Sequence, residues 1–113
     1  MSIQSPFRKK LDKDERIIET LDEIELELKF IGFWSENPPD FKFSYFTQAP
    51  SFELWLQCIF IPNARDSVNR NDYPERSQVG LMALSQYDYY SYVKKAQKLV
   101  SLLNKLDKIS EGY

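Results

Sequence analysis

Apolar residues in the segment from 12 to 32 recur at alternating spacings of four and three, as Ile17, Leu21, Ile24, Leu28 and Ile31, with charged residues between them. An α-helix turns once in about 3.6 residues, so this spacing gathers the five side chains into one stripe and predicts a first helix over about 12–32. Asp12, Asp14 and Glu15 stand where the positive end of a helix dipole favours carboxylates, and Gly32 stands where a helix stops. Near the C-terminus Tyr92, Ala96, Leu99, Leu103 and Leu106 repeat the same rhythm, flanked by Val93 and Val100. That predicts a fourth helix, capped by Asp88, with Lys105 and Lys108 suited to its carboxyl end.

The run SFELWLQCIFIP, residues 51–62, is apolar enough for either a buried strand or a helix. A strand would put Phe52, Leu54, Leu56, Cys58 and Phe60 on one side and Glu53, Trp55, Gln57, Ile59 and Ile61 on the other, which separates nothing. As a helix with Ser51 as N-cap, the same run places Phe52, Trp55, Leu56, Ile59 and Phe60 on one face and groups Glu53, Gln57 and Asn63 or Arg65 away from it. A second helix is therefore expected over about 51–70, kinked at Pro62, whose ring clashes with the carbonyl of residue 58 and removes one hydrogen bond. Gln57 is expected at the rim of the core, satisfying backbone groups of the preceding loop or of the kink. A short third helix is expected near 77–84, with Ser77 as its cap and Val79, Leu81, Met82 and Leu84 as its apolar set; Gly80 weakens it.

Between the first two helices, FWSENPPDFKFSYFTQAP carries Pro38 and Pro39, neither of which offers an amide hydrogen to a helix. Its rings Phe33, Trp34, Phe41, Phe43, Tyr45 and Phe46 are too apolar for a solvated connection, so the loop is expected to lie along the bundle and close one side. Four amphipathic stripes leave water only against one another, which makes the fold class all-α, a four-helix bundle with a long aromatic and proline-rich loop between helices 1 and 2. Residues 11–113 then form one domain, and residues 1–10, with Arg8, Lys9 and Lys10, a flexible basic tail.

At 113 residues one core suffices, and a 15% share of aromatic residues argues against a disordered chain. The net charge of −2 gives no general attraction to nucleic acid or anionic lipid. The first sixteen residues carry a charged run where a secretory leader needs a continuous apolar region, and no stretch approaches the about 20 apolar residues of a membrane span, so a cytoplasmic protein is expected. Histidine is absent, which removes imidazole bases, Ser-His and Cys-His pairs and His-ligated metals. Gly32, Gly80 and Gly112 are the only glycines, too few and too scattered for a phosphate-cradling loop. Cys58, the single cysteine, sits in an apolar run where burial makes a thiol inert. The acids of helix 1 lie off its stripe and read as a solvated face. No catalytic residue, cofactor or metal is therefore expected, and the chain is not expected to be an enzyme.

Ser51-Phe52-Glu53, then Trp55-Leu56-Gln57, then Ile59-Phe60-Ile61-Pro62 resemble the signature of the YqcC-like domain family, small bacterial four-helix proteins. That pattern runs through an aromatic pair, an acidic-Thr-Met turn, SFEQWLQ, an apolar triplet, a proline and a basic residue. Tyr45 and Phe46 match the aromatic pair, and Trp34, Pro38 and Pro39 fall where the family also has Trp and Pro. Gln48-Ala49-Pro50 replaces the acidic-Thr-Met turn and Asn63 replaces the basic residue. The resemblance is strongest over residues 43–66. It implies a four-helix fold and, because such proteins are often encoded beside a tRNA pseudouridine synthase, an accessory role in tRNA modification rather than a reaction of their own.

Three surfaces remain candidates. The aromatic loop, through Trp34, Phe41, Phe43, Tyr45 and Phe46, is the expected contact for a protein partner. The stretch YDYYSYVKK could meet RNA, with Tyr90 stacking on bases and Lys94, Lys95 and Lys98 on phosphates; the alternative is that it only packs, Tyr89 and Tyr92 inside and Tyr87 and Tyr90 at the rim. A small ligand would need a pocket between loop and bundle with Glu53 and Gln57 converging on it. Residues 12–29 carry eight acids against three bases, and residues 86–109 five lysines against two acids, so the outer helices are expected to complement each other as neighbours.

Overall fold

The computed structural model describes residues 6–39, 49–74, 77–89 and 91–112. Among them the chain is all helical, without a strand: α1 (Pro6–Phe30), α2 (Phe52–Trp55), a π-helical turn (Leu56–Phe60), α3 (Ile61–Asn69), α4 (Val79–Leu84), a second π-helical turn (Ser85–Tyr89), a 3-10 turn (Lys94–Ala96) and α5 (Gln97–Ser110). Because the first π turn joins α2 to α3 without a break, these elements make four rods, as the amphipathic stripes require.

α1 is the longest rod, and Ile17, Leu21, Ile24 and Leu28 on its stripe are wholly buried. It begins at Pro6, earlier than expected, so residues 6–10 of the expected tail are helical; proline suits a first helical position, where its fixed φ is already right and no amide hydrogen is needed. Consequently Asp12, Asp14 and Glu15 lie inside the helix rather than in its first turn. The stop is at Gly32, with φ +81°: its N–H donates to the Lys29 carbonyl at 3.2 Å and the Phe33 N–H to that of Leu28 at 2.8 Å. This paired closure needs the left-handed backbone that glycine adopts without strain.

The second rod is helical, as expected, with Ser51 Oγ accepting the Leu54 N–H at 3.1 Å as its N-cap. Pro62 neither ends nor breaks it. The π turn just before it carries the Ile61 N–H back to the Leu56 carbonyl, five residues away, opening the helix on the side where the proline ring would meet the carbonyl of Cys58. That extra residue also shifts the buried stripe, which runs Phe52, Leu56, Ile61, Ala64, Val68 with a step of five across the turn. Trp55, Ile59 and Phe60, expected in the core, are therefore half-buried, and Ile61 takes their place. Cys58 is half-buried, and burial raises its thiol pKa.

α5 lies antiparallel to α1, as Lys98 facing Glu27 at 3.9 Å and Lys105 facing Glu23 at 3.0 Å show. On the other flank Arg65 of α3 reaches Asp22 at 2.8 Å and Glu25 at 3.2 Å. Apart from Glu27, which is buried, the partners are exposed enough that each of their pairs contributes under about 1 kcal/mol, but together they orient α1 between its neighbours. Ala96, Leu99, Leu103 and Leu106 of the fourth stripe are fully buried and Leu102 and Ile109 join them. Tyr92 is not in this stripe: at 64% exposure it precedes the helix, which starts at Lys94 as a 3-10 turn, and Asp88 belongs to the π turn before it and caps nothing.

α4 departs most from expectation. Its buried side is Val79, Gly80 and Ala83, continued by Tyr87, while Leu81 and Leu84 are exposed and Met82 half-buried. Ser77 is not its cap. The cap comes from α5: Asp107 Oδ2 accepts the Gly80 N–H at 2.8 Å. A Cβ on Gly80 would collide with the Asn104 side chain, and would stand 2.8 Å from Asp107 Oδ2 and 2.9 Å from the Asn104 Cα. Glycine is there because the two backbones meet.

Candidate functional site at the aromatic end

The start of the interhelical loop, both π turns and the approach to α5 converge at one end of the bundle. Gln57, in the first π turn and only 8% exposed, accepts the Ser35 N–H at 2.9 Å with Oε1 and donates Nε2 to the Ser35 carbonyl at 2.8 Å. Its amide thus serves as the partner that a neighbouring peptide group would be, satisfying both polar groups of a loop residue. This is the role the sequence suggested for it, and it fixes the root of the aromatic loop on the second rod.

Tyr87, in the second π turn, is the hub of the same region. Only 5% exposed, it contacts the Phe33 ring at 5.7 Å and meets the Phe52 ring edge-on, also at 5.7 Å. Phe52 stacks on Trp55 at 5.8 Å, and Trp55 packs on Phe60 at 5.5 Å, so five rings run from the loop root along the second rod. The Tyr87 hydroxyl donates to Glu53 Oε2 at 2.7 Å. Burial, then the hydrogen bond to Glu53 and its negative charge, push the phenol pKa well up, so it stays a donor. Gln97 Nε2 donates to the carbonyls of both Tyr87 and Val93 at 3.0 Å, and the Val93 N–H returns to the Tyr87 carbonyl at 2.8 Å. Gln97 thereby ties the second π turn to the first turn of the fourth rod.

Two cations cover this aromatic edge. Lys95 Nζ stands 5.0 Å above the Phe33 ring and Lys29 Nζ 5.0 Å above Trp34, geometry at which the ring quadrupole attracts an ammonium. Of the expected partner surface, Trp34 is here, half-buried; Phe41, Phe43, Tyr45 and Phe46 lie outside the described residues. Of the expected RNA contact, Lys94, Lys95 and Lys98 are exposed, and Tyr90 lies outside the described residues. The tyrosines are reversed from expectation: Tyr87 packs inside, whereas Tyr89 and Tyr92 are exposed, because the π turn carries Tyr87 onto the line of Val79 and Ala83. Glu53 and Gln57, expected to converge on a ligand, are engaged by Tyr87 and Ser35.

Sequence reasoning missed Gln97, Tyr87 and Asp107. Nothing in the sequence marks Gln97, whose partners become neighbours only through the turn at 91–93. Among the described residues no group of three metal-binding side chains clusters, and no helix is long and apolar enough to cross a membrane.

No curated protein and no solved structure matches the chain. A family model does, over residues 16–109, from the first core turn of α1 almost to the end of α5. The protein therefore belongs to the DUF446 family, described as tRNA pseudouridine synthase C, the YqcC-like family that its Ser51–Pro62 segment resembles.

Proposed function

We propose that this protein serves tRNA pseudouridylation as a non-catalytic accessory module, holding a protein partner at its aromatic end. The family name supplies the process. The geometry supports the accessory role: the polar side chains of this end, Gln57, Glu53, Tyr87 and Gln97, are held in hydrogen bonds that shape the loop root, while Lys94 and Lys95 are exposed and Trp34 is half-buried beneath Lys29. Converting uridine to pseudouridine breaks and remakes a bond at C1′ of an extruded nucleotide, which calls for a pocket with a reactive group aimed into it. A rigid aromatic edge with cations over its rings suits recognition of another surface instead.

The test is titration of the purified protein with the tRNA pseudouridine synthase of the same cell. Saturable binding that Trp34→Ala abolishes, with the helical fold retained, is the expected result. Formation of pseudouridine in tRNA by this protein alone would overturn the non-catalytic reading, and undiminished binding by Trp34→Ala the choice of surface. A second reading, direct tRNA contact, draws on exposed Tyr92 beside Lys94 and Lys95. It requires affinity for tRNA that falls steeply with salt.

A further inference from the structure

Lys29, Arg65, Lys98 and Lys105 each hold a carboxylate of α1 at 3.9 Å or closer. Lys94 and Lys95 do not: both are exposed, and among the described residues no acid pairs with either. They stand in the first turn of the fourth rod, which contains no acid, where the positive end of the helix dipole disfavours cations. Helix stability alone would put acids there. Lys95 Nζ lies over the half-buried Phe33 ring, and exposed Tyr92 precedes the pair. Two ammonium groups that no described carboxylate neutralises thus border an aromatic edge.

We infer that the partner held at the aromatic end presents an acidic segment: its carboxylates meet Lys94 and Lys95, and an apolar side chain next to them packs on Tyr92 and the edge of Phe33. This rests on the reading of that end as a partner surface and gives the partner its chemistry. Charge complementarity of this kind steers encounter and fixes register more than it adds affinity. The extent of the free charge favours a short acidic segment over nucleic acid. Along the rod the next lysine, Lys98, is already paired with Glu27, and Lys29 above Trp34 with Glu25, so the unneutralised charge ends after two residues. A nucleic acid gains affinity with each phosphate that is neutralised, and a backbone running on past Lys98 would meet Glu27 and Glu23 instead. Two carboxylates need only these two lysines.

Binding of a fluorescein-labelled peptide with glutamate and aspartate flanking a phenylalanine, compared with its glutamine and asparagine counterpart, tests this on the full chain. The expected result is saturable binding of the acidic peptide that weakens as salt rises, with the amide peptide at least about tenfold weaker. Lys94→Glu combined with Lys95→Glu should abolish it, and the fold is not at risk because acids suit the first turn of a helix. Lys108→Glu should leave it unchanged: that lysine is also exposed and unpaired among the described residues, but it lies about 20 Å along the rod, in a groove without aromatic residues. No binding of the acidic peptide, equal binding of the two peptides, or an equal loss in both variants overturns the inference, as does tRNA held more tightly than the peptide by the same two lysines. A tRNA pseudouridine synthase that binds wild type and the double variant alike overturns it and leaves the aromatic-end reading standing. Acidic peptide held at Lys94 and Lys95, with no binding of the synthase, overturns the choice of the synthase as partner and leaves the acidic segment.

Discussion

α5 meets two helices in two different ways. Against α1 it offers a repeated aliphatic stripe met by another, with ion pairs along the margin; against α4 it offers Asn104 and Asp107 to a glycine. The difference follows from length. A helix of 25 residues gains most of its stability from its buried stripe, whereas one of six residues cannot be stable alone and depends on how its first amides are satisfied. A long contact is robust because it is redundant, and a short one is specific because it is not.

Substitutions separate the two. The largest effect is expected on the aliphatic side, where Leu21→Ala removes a wholly buried side chain and should cost about 2–5 kcal/mol in chemical denaturation. Next comes Gly80→Ala. Helix propensity alone favours alanine by about 1 kcal/mol, but the close approach to Asn104 and Asp107 makes it an overpacking change, expected to destabilise by about 1–3 kcal/mol. A gain in stability would show that α4 has room to move off α5. Asp107→Ala, which removes the cap, should cost about 0.5–2 kcal/mol.

The smallest effect is in pH dependence. Burial pushes the Asp107 carboxyl pKa up, against the opposing pull of the Gly80 amide, the Ser77 side chain and the Val79 amide. A carboxyl raised in the folded state binds its proton more tightly there than in the unfolded chain, so its contribution is present below the ordinary carboxylate range and is lost as pH rises through the folded value. Thermal melts across that acid range should show this slope, and Asp107→Asn should flatten it. At the alkaline end the same logic applies to Tyr73, raised from 10.0 to about 12 chiefly by burial: stability should fall as pH rises between those values, less so in Tyr73→Phe.

The two contacts differ equally in how far they could be read from the chain. The α1–α5 pairing is visible in spacing, because a stripe at four and three is a statement about one face of one helix. The α4–α5 contact is not, because Gly80 and Asp107 acquire meaning only when 27 residues of separation are folded away. Gly80 taken alone weakens a helix, and Asp107 taken alone is one more surface acid. At the aromatic end Gln57 was legible, since a lone amide in an apolar run must find polar partners. Tyr87 was not, because a π turn changes which residues face inward and leaves no local signature beyond Pro62 just after the first of the two turns.

That first π turn makes the second rod a helix with a phase jump. Upstream of Leu56 and downstream of Ile61 the chain is read by the core in two different frames, one residue out of step, much as an insertion shifts a reading frame. Winding the same residues as uninterrupted α-helix would turn Phe60 inward and rotate Arg65 away from Asp22 and Glu25, whereas deleting one residue of the turn would leave Ile61 and Arg65 facing as they do. The bundle's arrangement around α1 thus depends on one wide turn taking up a surplus residue.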